Sequence, residues 1–189
     1  MEFTESGIWI TNSGSDHATD KRLAKAFCSY HKVLLKRLRS DNLCVLDIGA
    51  GLGQYTLYMR QNGVQALAFD GNEHLKKNVV DAMIGDLTKP IDLPEFHFGL
   101  CLEVMNHIPE SLMIPALMNI RNSSLSHLIM TWAVPGQGGP NQLNCKTPSE
   151  VIKIMKGLGY TYLVDDSSIL KLECDFPWLS NSLSVFQVI

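Results

Sequence analysis

The stretch Val45-Leu46-Asp47-Ile48-Gly49-Ala50-Gly51-Leu52-Gly53 decides how this chain reads. It opens inside a short apolar run, Leu43 to Ile48, of the kind a strand buried on both faces shows. It closes on three alternate glycines, which let a backbone turn tightly and approach a ligand closely. Gln54 to Gln61 then reads as a helix ended by Asn62-Gly63. A glycine pattern alone is a weak signal; set between a strand and a helix it gains weight.

Outward from this loop, strands and helices alternate. Before it, Leu23, Phe27, Tyr30, Leu34 and Leu38 recur at helical spacing, predicting a helix from Asp20 to Arg39. After it come strands over Val64–Phe69, Ala82–Ile84, Phe96–Val104 and Leu128–Trp132. Helices are expected over Glu73–Val80 and from Asn106 to about Asn122, with Pro115 disturbing the latter's first turns. Thr147-Pro148-Ser149-Glu150 carries a capping box with proline at the first helical position. The last strands are expected at Tyr160–Val164 and Ser182–Val188, with an irregular segment between them. This order predicts an α/β, doubly wound, mostly parallel seven-stranded sheet with helices on both faces. Ligands then bind beyond the carboxyl ends of the strands, where Asp70, Asp86 and Glu103 stand.

Two cofactors compete for the glycine loop. A dinucleotide fingerprint, G-x-G-x-x-G, wants a third glycine where Gln54 stands; the spacing here is G-x-G-x-G. S-adenosylmethionine has no phosphate to cradle, and Asp47 suits a ligand bearing an ammonium and a sulfonium. A nicotinamide dehydrogenase stays as an alternative, disfavoured by Gln54.

Taken together, these segments resemble the class I S-adenosylmethionine-dependent methyltransferases, a Rossmann-like fold, over about residues 20–189. The glycine stretch matches their first motif, so the resemblance implies that Asp47, Gly49, Gly51 and Gly53 hold the cofactor. Phe69-Asp70-Gly71-Asn72 is similar to the second motif, whose acid binds the ribose hydroxyls. Gly85-Asp86-Leu87 is similar to the segment that meets the adenine. Leu102-Glu103-Val104-Met105-Asn106-His107-Ile108-Pro109 is similar to the "EVxEHIP" form of the fourth-strand motif, which adds Glu103 to the cofactor set. A narrower likeness lies in Thr131-Trp132-Ala133-Val134-Pro135-Gly136-Gln137-Gly138-Gly139, similar to a "SWAxPGQGG" segment of a small viral and microbial group. That segment often continues to "GHVN"; Gln142 stands here where its histidine would be.

The implied reaction moves a methyl group from S-adenosyl-L-methionine to an acceptor, and the enzyme mainly positions that acceptor. An alcohol must also lose a proton, a task for a near-neutral histidine. His107, after the fourth strand, and His17, in the N-terminal arm, are the candidates. The loop Pro135–Asn144 is rich in glycine and amides; with Trp132, its Gln137, Asn141 and Asn144 are the expected acceptor contacts. The acceptor expected is a sugar, a glycan or a small hydroxylated metabolite. A partner subunit that binds S-adenosylmethionine without turnover is the alternative from another class.

Composition bounds the rest. The 189 residues fit one domain, taken as residues 20–189 preceded by a polar arm, 1–19. Ile8-Trp9-Ile10 in that arm should pack back near the site. Net charge is −3, so nothing draws the whole surface to nucleic acid; the basic cluster Lys32, Lys36, Arg37 and Arg39 reads as a solvated helix face. No Asn-Pro-Pro-Tyr type motif follows the fourth strand. Five widely spaced cysteines without a Cys-x-x-Cys pair suggest neither zinc nor disulfides, and a reducing, cytoplasmic setting. No signal peptide and no membrane-spanning run is read.

Overall fold

A computed structural model describes residues 2–12 and 18–189. Seven strands form one sheet in the order β5-β4-β3-β6-β7-β9-β8. These are β3 (Val45–Ile48), β4 (Ala66–Asp70), β5 (Met83–Ile84), β6 (Phe96–Leu102), β7 (Ser124–Thr131), β8 (Tyr160–Tyr162) and β9 (Ser184–Val188). β3 pairs in parallel with β4 on one side and β6 on the other, so all four of its residues are buried. β9 runs antiparallel to both β7 and β8. The first two strands, β1 (Glu2–Phe3) and β2 (Trp9–Ile10), form a separate hairpin.

Alternating side chains along each strand feed two cores. Leu46, Ile48, Phe96, Cys101, Leu128 and Met130 point to one face, where α3 (Glu110–Ser123) and α4 (Pro148–Gly157) lie. Val45, Phe98, Leu100, Ile129 and Val185 point to the other, against α1 (Lys21–Leu38), α2 (Gln54–Gln61), α5 (Val164–Leu172) and α6 (Pro177–Ser182). This is the two-face packing that the period of two in the strands demands.

Local signals set the helix ends. Asp20 caps α1, its Oδ1 accepting from the Leu23 N–H at 2.9 Å, and Arg39 closes it in the left-handed conformation at φ 51°. The capping box at Thr147 and Glu150 is present. Two expectations need correction. The helix after β6 begins at Glu110, because residues 104–108 are held in turns by bonds from His107 N to Val104 O and Ile108 N to Met105 O. Pro109 also disfavours helical backbone at Ile108. The segment between the last two strands is not irregular; it folds as α5 and α6. Its polar contact Ser167 is fully buried, donating to Leu163 O at 2.6 Å and accepting from Val185 N at 2.8 Å, while Val164, Ile169 and Leu172 are exposed. No helix among the described residues is long and apolar enough to cross a membrane, and all five cysteines are free thiols.

Candidate functional site

A cavity of about 510 Å³ opens at the carboxyl ends of β3, β4, β5 and β6. Its floor is the glycine loop. Gly49 and Gly51 sit at φ 72° and 61°, a left-handed conformation that side chains resist. A Cβ on Gly49 would stand 2.2 Å from the Val104 side chain, so the loop after β6 presses directly on the glycine loop. Gly53 has another role: it does not border the cavity, and a Cβ there would strike Val79 at 2.5 Å, so it lets α2 pack on residues 75–79.

Four carboxylates line this space: Asp47, Asp70, Asp86 and Glu103. Asp70 ends β4 and accepts from Gly51 N and Asn72 N, both at 2.7 Å. Burial pushes its carboxyl up to about 6 despite those bonds. Asp47 also rises to about 6 through burial, with the Thr56 hydroxyl donating to it at 2.7 Å. Burial pushes Asp86 upward too, but bonds from the Thr88 backbone and hydroxyl prevail and hold it below the usual range. Leu87 and Gly71 border the same space.

Glu103 follows β6 in the left-handed conformation, at φ 54°. Its N–H donates to the Thr131 hydroxyl at 2.9 Å, and its Oε2 accepts from Gln137 Nε2 at 2.7 Å. Burial raises its carboxyl. Gln137 thereby brings the loop after β7 to the cavity, where Gly138, Gly139, Pro140 and Gln142 also stand.

His107 lines the cavity, and its Nδ1 lies 3.2 Å from the Asn141 carbonyl. A carbonyl only accepts, so Nδ1 carries the proton and Nε2 keeps its lone pair. Burial lowers the imidazole's pKa, which keeps it neutral near pH 7. The ring stacks on Phe3 at 5.8 Å, and Phe3 stacks on Trp9 at 5.6 Å.

The N-terminal hairpin is thus part of the wall. Ser6, Gly7, Ile8 and Trp9 border the cavity. A Cβ on Gly7 would meet the His107 carbonyl oxygen at 2.1 Å, and one on Gly71 would meet Ile8 at 2.5 Å. Asn72 Nδ2 also donates to Thr11 O at 2.6 Å. The approaches at Gly7 and Gly71 need a residue without a side chain, a requirement between distant segments that neither segment announces.

Not every expected contact reaches the cavity. Trp132 is buried in the core, its indole N–H donating to Asn144 O. Asn144 is buried with it, and Asn141 offers its backbone carbonyl to His107; neither side chain borders the cavity. Trp132 points inward because it follows β7 in the alternation that puts Met130 on the same face. His17 lies outside the described residues. Thr19, Gln54, Thr88 and Trp178 also line the space, and no motif in the sequence assigns them to it. Of these, Gln54 and Thr88 follow their motifs closely enough to be found by position; Trp178 sits on α6, which the sequence did not reveal. The basic cluster lies elsewhere: Arg37 pairs with Asp166 at 2.6 Å, and Lys32, Lys36 and Arg39 border a separate groove. Among the described residues no cluster of His, Cys, Asp and Glu is placed to hold a metal ion.

No family model and no curated protein sequence matches the chain. Solved structures do. Magnesium protoporphyrin IX methyltransferase of Synechocystis PCC 6803 with bound S-adenosylhomocysteine superposes with a TM-score of 0.63 at 14% identity, over 88% of this chain and 81% of that one. The CcbJ methyltransferase of Streptomyces caelestis gives 0.64 at 12% identity, over 95% and 93%. A TehB-like S-adenosylmethionine-dependent methyltransferase of Corynebacterium glutamicum gives 0.57 at 18% identity, over 88% and 98%. At such identities the likeness carries architecture: this chain has the Rossmann-like, seven-stranded fold of the class I S-adenosylmethionine-dependent methyltransferases.

Proposed function

We propose that the chain is an enzyme that methylates an oxygen of a small hydroxylated acceptor, a sugar, glycan or metabolite, with S-adenosylmethionine as donor. The observation that carries this reading is the charge of the cavity. Four carboxylates and, among the described residues, no lysine or arginine line it. Such a wall fits a ligand bearing a sulfonium and an ammonium and opposes a pyrophosphate. The left-handed glycines beneath Asp70 fit the same ligand, which needs close backbone approach but no phosphate cradle.

When bound, S-adenosylmethionine supplies a methyl carbon on sulfur: the bond from acceptor oxygen to carbon forms as carbon–sulfur breaks, the electron pair stays on sulfur, and one proton is released. His107 takes that proton on Nε2, since Nδ1–H is committed to Asn141. Asp70, fixed by two backbone donors, would receive the ribose hydroxyls, and Asp86 would meet the adenine. The hairpin, with Trp9 and Ile8 on the wall, would help to keep water from the reacting atoms. Gln142 reaches the cavity but holds no ionisable group, so it cannot take the proton.

The test is thermal unfolding with S-adenosylhomocysteine, S-adenosylmethionine and NADH, each in excess. A ligand at 100 times its Kd adds about 2.7 kcal/mol, roughly 5–10 °C for a chain of this size. The adenosyl ligands should give such a shift, and Asp70→Ala should abolish it. A shift with NADH alone would overturn the reading.

A further inference from the structure

Gly71 is a glycine for lack of room. Its φ lies outside the left-handed region, so its backbone does not itself require glycine. A Cβ there would stand 2.5, 2.6 and 2.7 Å from Cγ1, Cδ1 and Cγ2 of Ile8. The Ile8 side chain therefore fills the volume in which a side chain at residue 71 would begin.

Residue 71 directly follows Asp70, whose carboxylate is held by Gly51 N and Asn72 N. The neighbouring β5 leads to Asp86 and Leu87, and Gly85 N joins this strand end to Asp70 O at 3.1 Å. Ile8, Gly71 and Leu87 all border the cavity. Contacts on either side seat the hairpin over this end. Thr11 O accepts from Asn72 Nδ2 at 2.6 Å, and the Ser6 hydroxyl helps to hold the Asp86 carboxyl low. Within the hairpin, the Thr4 hydroxyl accepts from Ile8 N at 3.0 Å and Ile8 O accepts from Thr4 N at 2.9 Å. The Ile8 backbone is thus fixed on both its donor and its acceptor. Its side chain is half-buried: part lies on Gly71 and part borders the cavity.

A purine presents a flat apolar face and a polar edge. The edge takes hydrogen bonds, and the face needs apolar cover. At this end β4 supplies the carboxylate of Asp70 but, at residue 71, no side chain. We propose that Ile8 supplies it from the hairpin: with Leu87 it forms the apolar wall on which the adenine of S-adenosylmethionine lies, so that the N-terminal hairpin is part of the cofactor site. This rests on the methyltransferase reading.

The experiment measures affinity by calorimetry on the full chain and its variants, with ligand-free melting curves to verify that each is folded. The probes are S-adenosylhomocysteine and 5′-methylthioadenosine, which keeps the adenosyl group and lacks the amino acid. Ile8→Ala removes the carbon atoms that fill the space at residue 71 and should weaken both probes alike, about tenfold. Gly71→Val returns a branched side chain to that space from β4. The double variant Ile8→Ala/Gly71→Val should therefore bind both probes within about threefold of the unaltered chain. A double variant that binds no better than Ile8→Ala overturns the proposal, because Ile8 then acts by seating the hairpin and not by facing the base. So does an Ile8→Ala chain that binds both probes within about threefold of the unaltered one. A loss with S-adenosylhomocysteine that 5′-methylthioadenosine does not share overturns it too, by placing Ile8 at the amino-acid end. No binding of either probe by the unaltered chain is a different result: it removes the methyltransferase reading itself, and this proposal with it.

Discussion

His107 and Asp47 show how burial sets chemistry one residue at a time. The imidazole is held below its ordinary pKa of about 6.5, so a base at His107 predicts a rate that rises with pH and levels off below that value. His107→Ala should lower kcat by about 10²–10⁴ while leaving cofactor affinity nearly unchanged; equal losses in both would make the residue structural. Asp47 works in the opposite sense. Its folded carboxyl, at about 6, binds protons more tightly than an unfolded aspartate near 3.9. The contribution of Asp47 is therefore fully present below about 4 and lost as pH rises through about 6. At pH 7.5 the ionised group costs on the order of 1–3 kcal/mol, so Asp47→Asn should raise the melting temperature of the ligand-free protein and flatten its pH dependence between about 4 and 6. Both residues were found by position in the sequence: the acid two places before the glycine loop, the histidine after the fourth strand. The tautomer of His107 was not, because it depends on a carbonyl 34 residues away.

At the scale of elements, α4 is the case in which local chemistry suffices. Thr147 N donates to Glu150 Oε2 at 2.8 Å and Glu150 N to Thr147 Oγ1 at 3.4 Å, the reciprocal bonds that the four residues announce. Thr147→Ala should cost about 1 kcal/mol, read as a shift in denaturant midpoint. α2 likewise begins and ends where the glycine loop and Asn62-Gly63 put it. The pair α5 and α6 is the opposite case. A helix whose buried face is Ser167 and Leu170, and whose apolar Val164, Ile169 and Leu172 face water, has no apolar stripe to read. Trp178, on α6, stayed hidden for the same reason.

Across the whole molecule, Asp20 ties together segments far apart in sequence. Its Oδ1 caps α1, while Oδ2 accepts from Asp175 N at 2.6 Å and Phe176 N at 3.1 Å. Its own N–H donates to the Tyr55 hydroxyl at 3.1 Å. Asp20→Ala strands three backbone donors and should cost about 3 kcal/mol, a drop of roughly 6–12 °C in Tm; a loss under about 1 kcal/mol would mean that water replaces these bonds readily. The order of strands and helices, and hence the sheet, was legible because each element carries its own period. The hairpin's place on the cavity was legible only as an apolar Ile8-Trp9-Ile10 needing cover.

The three tryptophans fall into two environments: Trp9 and Trp178 border the cavity, and Trp132 is sealed in the core. The protein therefore carries its own optical gauge of occupancy. Indole emission should change as the cavity fills, with Trp132 supplying a constant background, and Trp9→Phe and Trp178→Phe, examined separately, would report which end of the cavity each compound enters.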